Sequence, residues 1–90
     1  MYNGCVNKIE WKLRALKQLK KIPKNCRQAI VEAVDTLGAE RDQWVNVKPL
    51  RGHNTAYRMR VGRYRVLFDY EEQIRIITIE EVKKRDERTY

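Results

Sequence analysis

The sequence predicts one α+β domain over residues 1–90, with two N-terminal helices packed on one face of a small twisted antiparallel β-sheet. Three observations carry this. Leu13, Leu16, Leu19 and Ile22 recur every third residue among lysines and arginines, the mark of an amphipathic helix that Pro23 then ends. From Trp44 onward the apolar period drops to two, as in a half-buried strand. Finally, Gly62-Arg63 separates two runs rich in aromatic and β-branched residues, and glycine at the first position of a two-residue loop suits a tight hairpin.

In chain order, residues 5–11 can form a short first strand, with Val6, Ile9 and Trp11 supplying apolar contacts. The amphipathic helix follows. Asn25 is suited to cap a second helix with the apolar set Ile30, Ala33, Val34 and Leu37, and Gly38 fits the position just past its end. Residues 44–47 read as a short strand, residues 57–61 and 64–70 as the hairpin, and residues 74–79 as a last strand. Tight connections between sequential strands imply an antiparallel sheet, its apolar face covered by the helices and its other face open. Neither a repeat nor a low-complexity tract nor a linker interrupts the chain, so the domain is expected to begin almost at Met1 and end at Tyr90.

The open face is the main clue to function. Residues 48–68, KPLRGHNTAYRMRVGRYRVLF, hold six basic residues and no acidic one. A two-residue turn at Gly62-Arg63 sets Val61 opposite Tyr64, Arg60 opposite Arg65 and Arg58 opposite Leu67. Tyr57, Met59, Val61, Tyr64, Val66 and Phe68 then share the core face. Like charges directly opposite each other across two strands repel. A chain that keeps Arg60 facing Arg65 therefore points to an anion between them, and a phosphate is the natural candidate. The tail sequence VKKRDERTY adds Lys83, Lys84, Arg85, Arg88 and Tyr90, a set suited to RNA, whose bases stack on a phenol and whose phosphates pair with guanidinium groups.

Composition narrows the classes. A chain of 90 residues buries one modest core and forms no deep enzyme pocket. Its net charge of +8 favours an anionic partner, nucleic acid or an acidic protein. Apolar runs of only a few residues and the lack of a dominant basic amphipathic helix argue against a membrane partner, and the N-terminus has no signal-peptide hydrophobic segment, so a cytoplasmic location is expected. Cys5 and Cys26 stand apart without a CxxC or histidine-rich set and are read as small buried hydrophobes. His53 is a lone loop histidine, more often incidental than catalytic. The sequence has no phosphate-binding glycine loop, zinc spacing or Ser/His/Asp arrangement, and neither a metal nor a small-molecule cofactor is expected.

KPLRG, YRMRVGRYRVLF, the isoleucine-rich strand and KKRDERTY, together with IEWKLRALKQLKKIP near the N-terminus, resemble the RelE-type toxins of bacterial and archaeal toxin–antitoxin pairs, in the RelE/ParE superfamily. The likeness covers nearly the whole chain. It implies an endoribonuclease that cuts messenger RNA in the ribosomal A site and is neutralised by an acidic, partly disordered RelB-like antitoxin. Carried over by residue, the basic pair of the first hairpin strand falls on Arg58 and Arg60, the phosphate-binding arginine of the second on Arg65, the tail arginine on Arg85 and the terminal tyrosine on Tyr90. Arg51 matches a basic residue that helps hold RNA, with Lys48, Lys83 and Lys84 as further RNA contacts. The implied reaction is attack of a ribose 2′-hydroxyl on the adjacent phosphate, without a metal. One departure stands out: nuclease members often carry lysine where this chain has Arg58 and Arg60, and an arginine does not give up its proton. The general base is left open. ParE-like relatives, which poison DNA gyrase by protein contact and cut nothing, share the fold and the basic surface and form the alternative; a non-catalytic RNA-binding module is a third reading.

Overall fold

A computed structural model describes residues 6–52 and 55–84. The elements run β1 (Lys8–Trp11), α1 (Leu13–Lys20), α2 (Lys24–Asp35), two 3₁₀ turns (Thr36–Gly38 and Arg41–Gln43), β2 (Val47–Pro49), β3 (Tyr57–Val61), β4 (Tyr64–Glu71) and β5 (Ile76–Lys84). The five strands form one sheet in the order β1-β5-β4-β3-β2. β2, β3, β4 and β5 pair antiparallel, whereas β1 lies parallel to β5, with Lys8 beside Ile76 and Trp11 beside Ile79. The sheet is thus mixed and not wholly antiparallel. The reason is topological: a strand that leads through a helical hairpin and back across the sheet is free to join the far edge in either sense.

The hairpin has the expected register. Gly62 adopts φ +57°, the left-handed conformation that glycine reaches without steric penalty, and Val61, Arg60, Met59, Arg58 and Tyr57 face Tyr64, Arg65, Val66, Leu67 and Phe68 in turn. Met59, Val66 and Phe68 are buried with Ile77, Ile79 and Val82 from β5. Ala15, Leu19, Ile22, Ile30, Val34 and Leu37 close over them from the helical side.

Other boundaries differ from the sequence reading, each for a local reason. Pro23, not Asn25, precedes the second helix, and the Asn25 side chain accepts a hydrogen bond from the Cys26 N–H inside its first turn. In α1 the buried residues are Ala15 and Leu19, while Leu13 and Leu16 are 67% and 38% exposed. A strict spacing of three falls about 60° short of a full turn at each step, so the leucine row winds away from the core. Trp44 is not in a strand. It follows the second 3₁₀ turn and packs edge-on against Tyr57, Phe68 and Tyr70 at centroid distances of 5.8, 5.6 and 5.2 Å, and β2 starts only at Val47. The last strand begins two residues later than expected, after Arg75 at φ +56°, and runs on to Lys84.

Two side chains knit the end of α2 to the sheet. Buried Asn7 donates through Nδ2 to the Leu37 and Ala39 carbonyls, at 3.0 and 2.9 Å, and accepts from the Tyr70 hydroxyl at 2.9 Å. Trp44 Nε1 donates to the same two carbonyls at 3.2 and 3.1 Å. Beyond Trp11, where β1 stops, α1 takes over the edge of β5, and Gln18 Oε1 accepts the Val82 N–H at 2.7 Å. No helix among the described residues is long and apolar enough to cross a membrane.

Phe68 is fully buried, stacked on Tyr57 at 5.4 Å and edge-on to Trp44. Phe68→Ala is expected to lower unfolding stability by about 3–5 kcal/mol, read from the urea midpoint. A loss below about 1 kcal/mol would show that this aromatic cluster is not the centre of the core.

Candidate nucleic-acid interface

The sheet face away from the helices carries two rows of cations. In one, Arg60 lies opposite Arg65, which lies opposite Lys83. In the other, Lys48 lies opposite Arg58, followed across the sheet by Leu67 and Glu81. Five basic side chains from four consecutive strands thus share a surface whose neighbouring strands are only about 4.8 Å apart. The alternation that sends Met59 and Val66 into the core sends these side chains out.

Two of these guanidinium groups keep a buried donor without a partner among the described residues. Arg58 and Arg65 each have a buried Nε with no hydrogen-bond partner. Burying such a donor without an acceptor is unfavourable, and a fork of unpaired N–H groups matches the oxygens of a phosphate. Lys48, Arg58 and Arg60, with Asn46 and Val47, line a cavity of about 320 Å³ on this face beside the short β2 strand. Asn46 shapes its floor from an αL conformation at φ +63°, in which its carbonyl accepts the Arg60 N–H at 3.0 Å.

A β-bulge borders the cations. Leu67 pairs with Glu81 but the next residue, Phe68, pairs with Ile79, so Glu80 is the extra residue of β5. With Ile79 and Val82 buried, the bulge turns Glu80 and Glu81 both toward the open face. Glu81 lies 3.3 Å from Arg14 of α1 and 3.7 Å from Lys83. Burial pushes the Glu80 carboxyl above its ordinary value, a side-chain hydrogen bond with Asp69 acts in the same direction, and the Lys12 ammonium at 3.8 Å opposes both. A bulge breaks the period of two by which faces are assigned, so periodicity alone does not place these two glutamates together.

Of the residues singled out from sequence, Arg58, Arg60, Arg65, Lys48 and Lys83 come together here. Lys84 does not. It lies opposite Tyr64, one residue past Lys83 and hence on the helical side, where it lines a cleft of about 480 Å³ with Cys26, Ala29 and Tyr64. Arg51 is exposed in the loop after β2. Arg85, Arg88, Tyr90, His53 and Cys5 lie outside the described residues.

Comparison with known proteins gives a consistent result. The family model of the ParE toxin of the parDE type II toxin–antitoxin system matches residues 9–89. A protein of Methanocaldococcus jannaschii named "Putative toxin RelE1" is 30% identical over 80 residues, covering 87% of this chain and 89% of its own length. Among solved structures, the RelE–RelB complex of Pyrococcus horikoshii superposes with a TM-score of 0.77 at 25% identity, over 92% of this chain and 99% of that one. The RelBE2 toxin–antitoxin complex of Mycobacterium tuberculosis does so with a TM-score of 0.72 at 28% identity, over 88% and 98%.

Two outcomes follow from the electrostatics of this face. Arg60→Gln relieves the repulsion with Arg65 and is expected to raise the urea midpoint at low salt by an equivalent of about 0.2–1 kcal/mol, a gain that shrinks as salt is added. A loss of stability at every salt concentration would mean that the row is not repulsive. For Glu80, a raised carboxyl favours the fold only while protonated, so its contribution is present below the ordinary carboxylate range and is lost as pH rises through the raised value. Glu80→Gln should therefore match the parent near pH 4 and exceed it near pH 7 in thermal midpoint; the opposite trend would show that the Lys12 pair outweighs burial.

Proposed function

The chain belongs to the RelE/ParE superfamily of toxins from type II toxin–antitoxin systems, and on that premise we propose that it is a ribosome-dependent endoribonuclease that cleaves messenger RNA in the A site. The observation that carries the reading is the row Arg60–Arg65–Lys83 together with the Nε donors of Arg58 and Arg65, which have no partner among the described residues.

The chemistry is attack of a ribose 2′-hydroxyl on the adjacent phosphate, giving a cyclic phosphate and a free 5′-hydroxyl. Arg65, with Arg85 from the tail, neutralises the charge that builds on the phosphorane-like transition state, a role in which one donor is typically worth about 2.7–4 kcal/mol. Arg58 and Arg60 position the phosphate. Both stay protonated, so neither is the general base. Tyr90 stacks on a base or assists proton transfer, and Arg51, Lys48 and Lys83 hold the strand. Lys84, on the other side of the sheet, can reach only RNA that wraps around the end of β5. Such contacts are to phosphates and sugars and give no sequence choice of their own, which suits an enzyme placed on its substrate by the ribosome.

The relatives crystallised as RelE–RelB complexes support an antitoxin partner. An acidic RelB-like segment complements the +8 charge and covers or displaces part of the cationic face. The match to the ParE model favours a second reading, in which the protein poisons DNA gyrase by contact and cuts nothing.

Single-turnover cleavage of ribosome-bound messenger RNA, run beside a gyrase supercoiling assay, separates the two. Cleavage by the parent chain is expected, with Arg60→Lys retaining much of it, and Arg60→Ala or Arg65→Ala losing about a hundredfold or more. Intact RNA together with inhibited supercoiling would overturn the nuclease reading in favour of the gyrase one. With about four phosphates contacted, log affinity for single-stranded RNA should fall with log salt at a slope near −3. A slope near zero would move the RNA off the arginine face.

A further inference from the structure

The nuclease reading, on which this inference rests, gives the 2′-hydroxyl proton no acceptor among the arginines, which cannot take it. We infer that Glu81, delivered to the cationic face by the β5 bulge, is the general base of the cleavage reaction. Its register places it there. Glu81 is in line with Arg58 across Leu67 and two residues along β5 from Lys83, which itself faces Arg65. Two residues along a strand is about 6.7 Å, so a phosphodiester seated between Arg65 and Lys83 brings the adjoining ribose over the Glu81 carboxyl.

Each group around Glu81 has a part in the arrangement. Arg14 reaches it from α1 at 3.3 Å and Lys83 from its own strand at 3.7 Å; Arg65 is diagonal to it on β4 and Arg58 is in the same row on β3. Glu80 is its neighbour in the bulge, hydrogen-bonded to Asp69 of β4 and 3.8 Å from Lys12. Without RNA, Glu81 is held by Lys83 and Arg14. An incoming phosphate competes for Lys83, which leaves Glu81 Oε1 free to accept a hydrogen bond from the 2′-hydroxyl while Arg14 still fixes Oε2. Glu80 is the weaker candidate, as its hydrogen bond to Asp69 and its pairing with Lys12 turn it away from the arginines.

In the step itself Glu81 takes the 2′-hydroxyl proton as the 2′-oxygen–phosphorus bond forms and the bond from phosphorus to the 5′-oxygen breaks. The departing 5′-oxygen takes up a proton from water, and the products are a 2′,3′-cyclic phosphate and a 5′-hydroxyl end. Glu81 then returns its proton to solvent.

The test is single-turnover cleavage of ribosome-bound messenger RNA by the full chain across pH, for the parent, Glu81→Gln, Glu81→Asp and Arg14→Ala, with RNA affinity and thermal midpoint measured on each. Glu81→Gln should bind RNA at least as tightly as the parent yet cleave about a hundredfold or more slowly, and its log rate should lose the rise on the acid side that a general base produces. Glu81→Asp should keep that rise at a lower rate. Arg14→Ala, which loosens the carboxyl without removing it, should cleave more slowly than the parent but keep the acid-side rise. If Arg14→Ala falls as far as Glu81→Gln, Glu81 is a structural tie and not the base. The inference is equally overturned if Glu81→Gln keeps the acid-side rise while the parent cleaves. A parent that does not cleave at all would remove the nuclease reading and this inference with it.

Discussion

The pairing of Met59 with Val66 across β3 and β4 is the constraint on which the molecule turns. Since side chains alternate faces along a strand, that one register sends Met59, Val66 and Phe68 into the core and Arg58, Arg60 and Arg65 out of it. A slip of one residue would bury three guanidinium groups under the helices and expose the largest aromatic of the core. Burial of the apolar set is worth several kcal/mol, whereas the repulsion on the other face is of order 1 kcal/mol, so the core imposes an electrostatically unfavourable surface. On the proposed reading this leaves the folded protein with a need for anions.

That need is local. Beyond Leu67 the same face turns acidic, with Asp69, Glu80 and Glu81 brought together by the bulge and held by Lys12 and Arg14 from the chain at the start of α1. Positive and negative halves meet at Leu67 and Lys83. In the proposed reaction such a boundary holds a phosphate on one side and takes up a proton on the other. It also explains why α1 matters to the site although its buried residues belong to the core: its first turn supplies the cation that anchors the carboxylate.

How much of this was legible in sequence depended on the range over which each feature is decided. The hairpin register was readable because Gly62-Arg63 and the alternation on both sides lie within a dozen residues, and it placed the three strand arginines, Arg58, Arg60 and Arg65, correctly on one face. The parallel seat of β1 on β5 was not, since Ile9 and Trp11 carry no mark of the strand they will join some 68 residues later. The bulge acts in a different way: Glu80 and Glu81 break the period of two, so periodicity ends the strand at Ile79, whereas the burial of Val82 carries it on to Lys84. The longer strand also decides that Lys84 lies on the helical side, opposite Tyr64. In α1, leucines spaced by three pointed to a helix correctly but overstated the buried stripe, leaving Leu13 exposed.

The hydrogen bond from the Val82 N–H to Gln18 has a consequence for how the sheet ends. A strand of nine residues whose neighbour spans only four would otherwise present a run of free backbone groups, the template on which sheets of different molecules join. Helix α1 occupies that run, and the two true edges are short: β1, which carries Lys8 and Glu10, and β2, where Pro49 has no N–H to offer. The five strands therefore make an open sheet whose two edges, β1 and β2, offer few free backbone groups for pairing. A strongly charged chain with a cationic sheet face can in this way present that face without offering a long strand edge beside it.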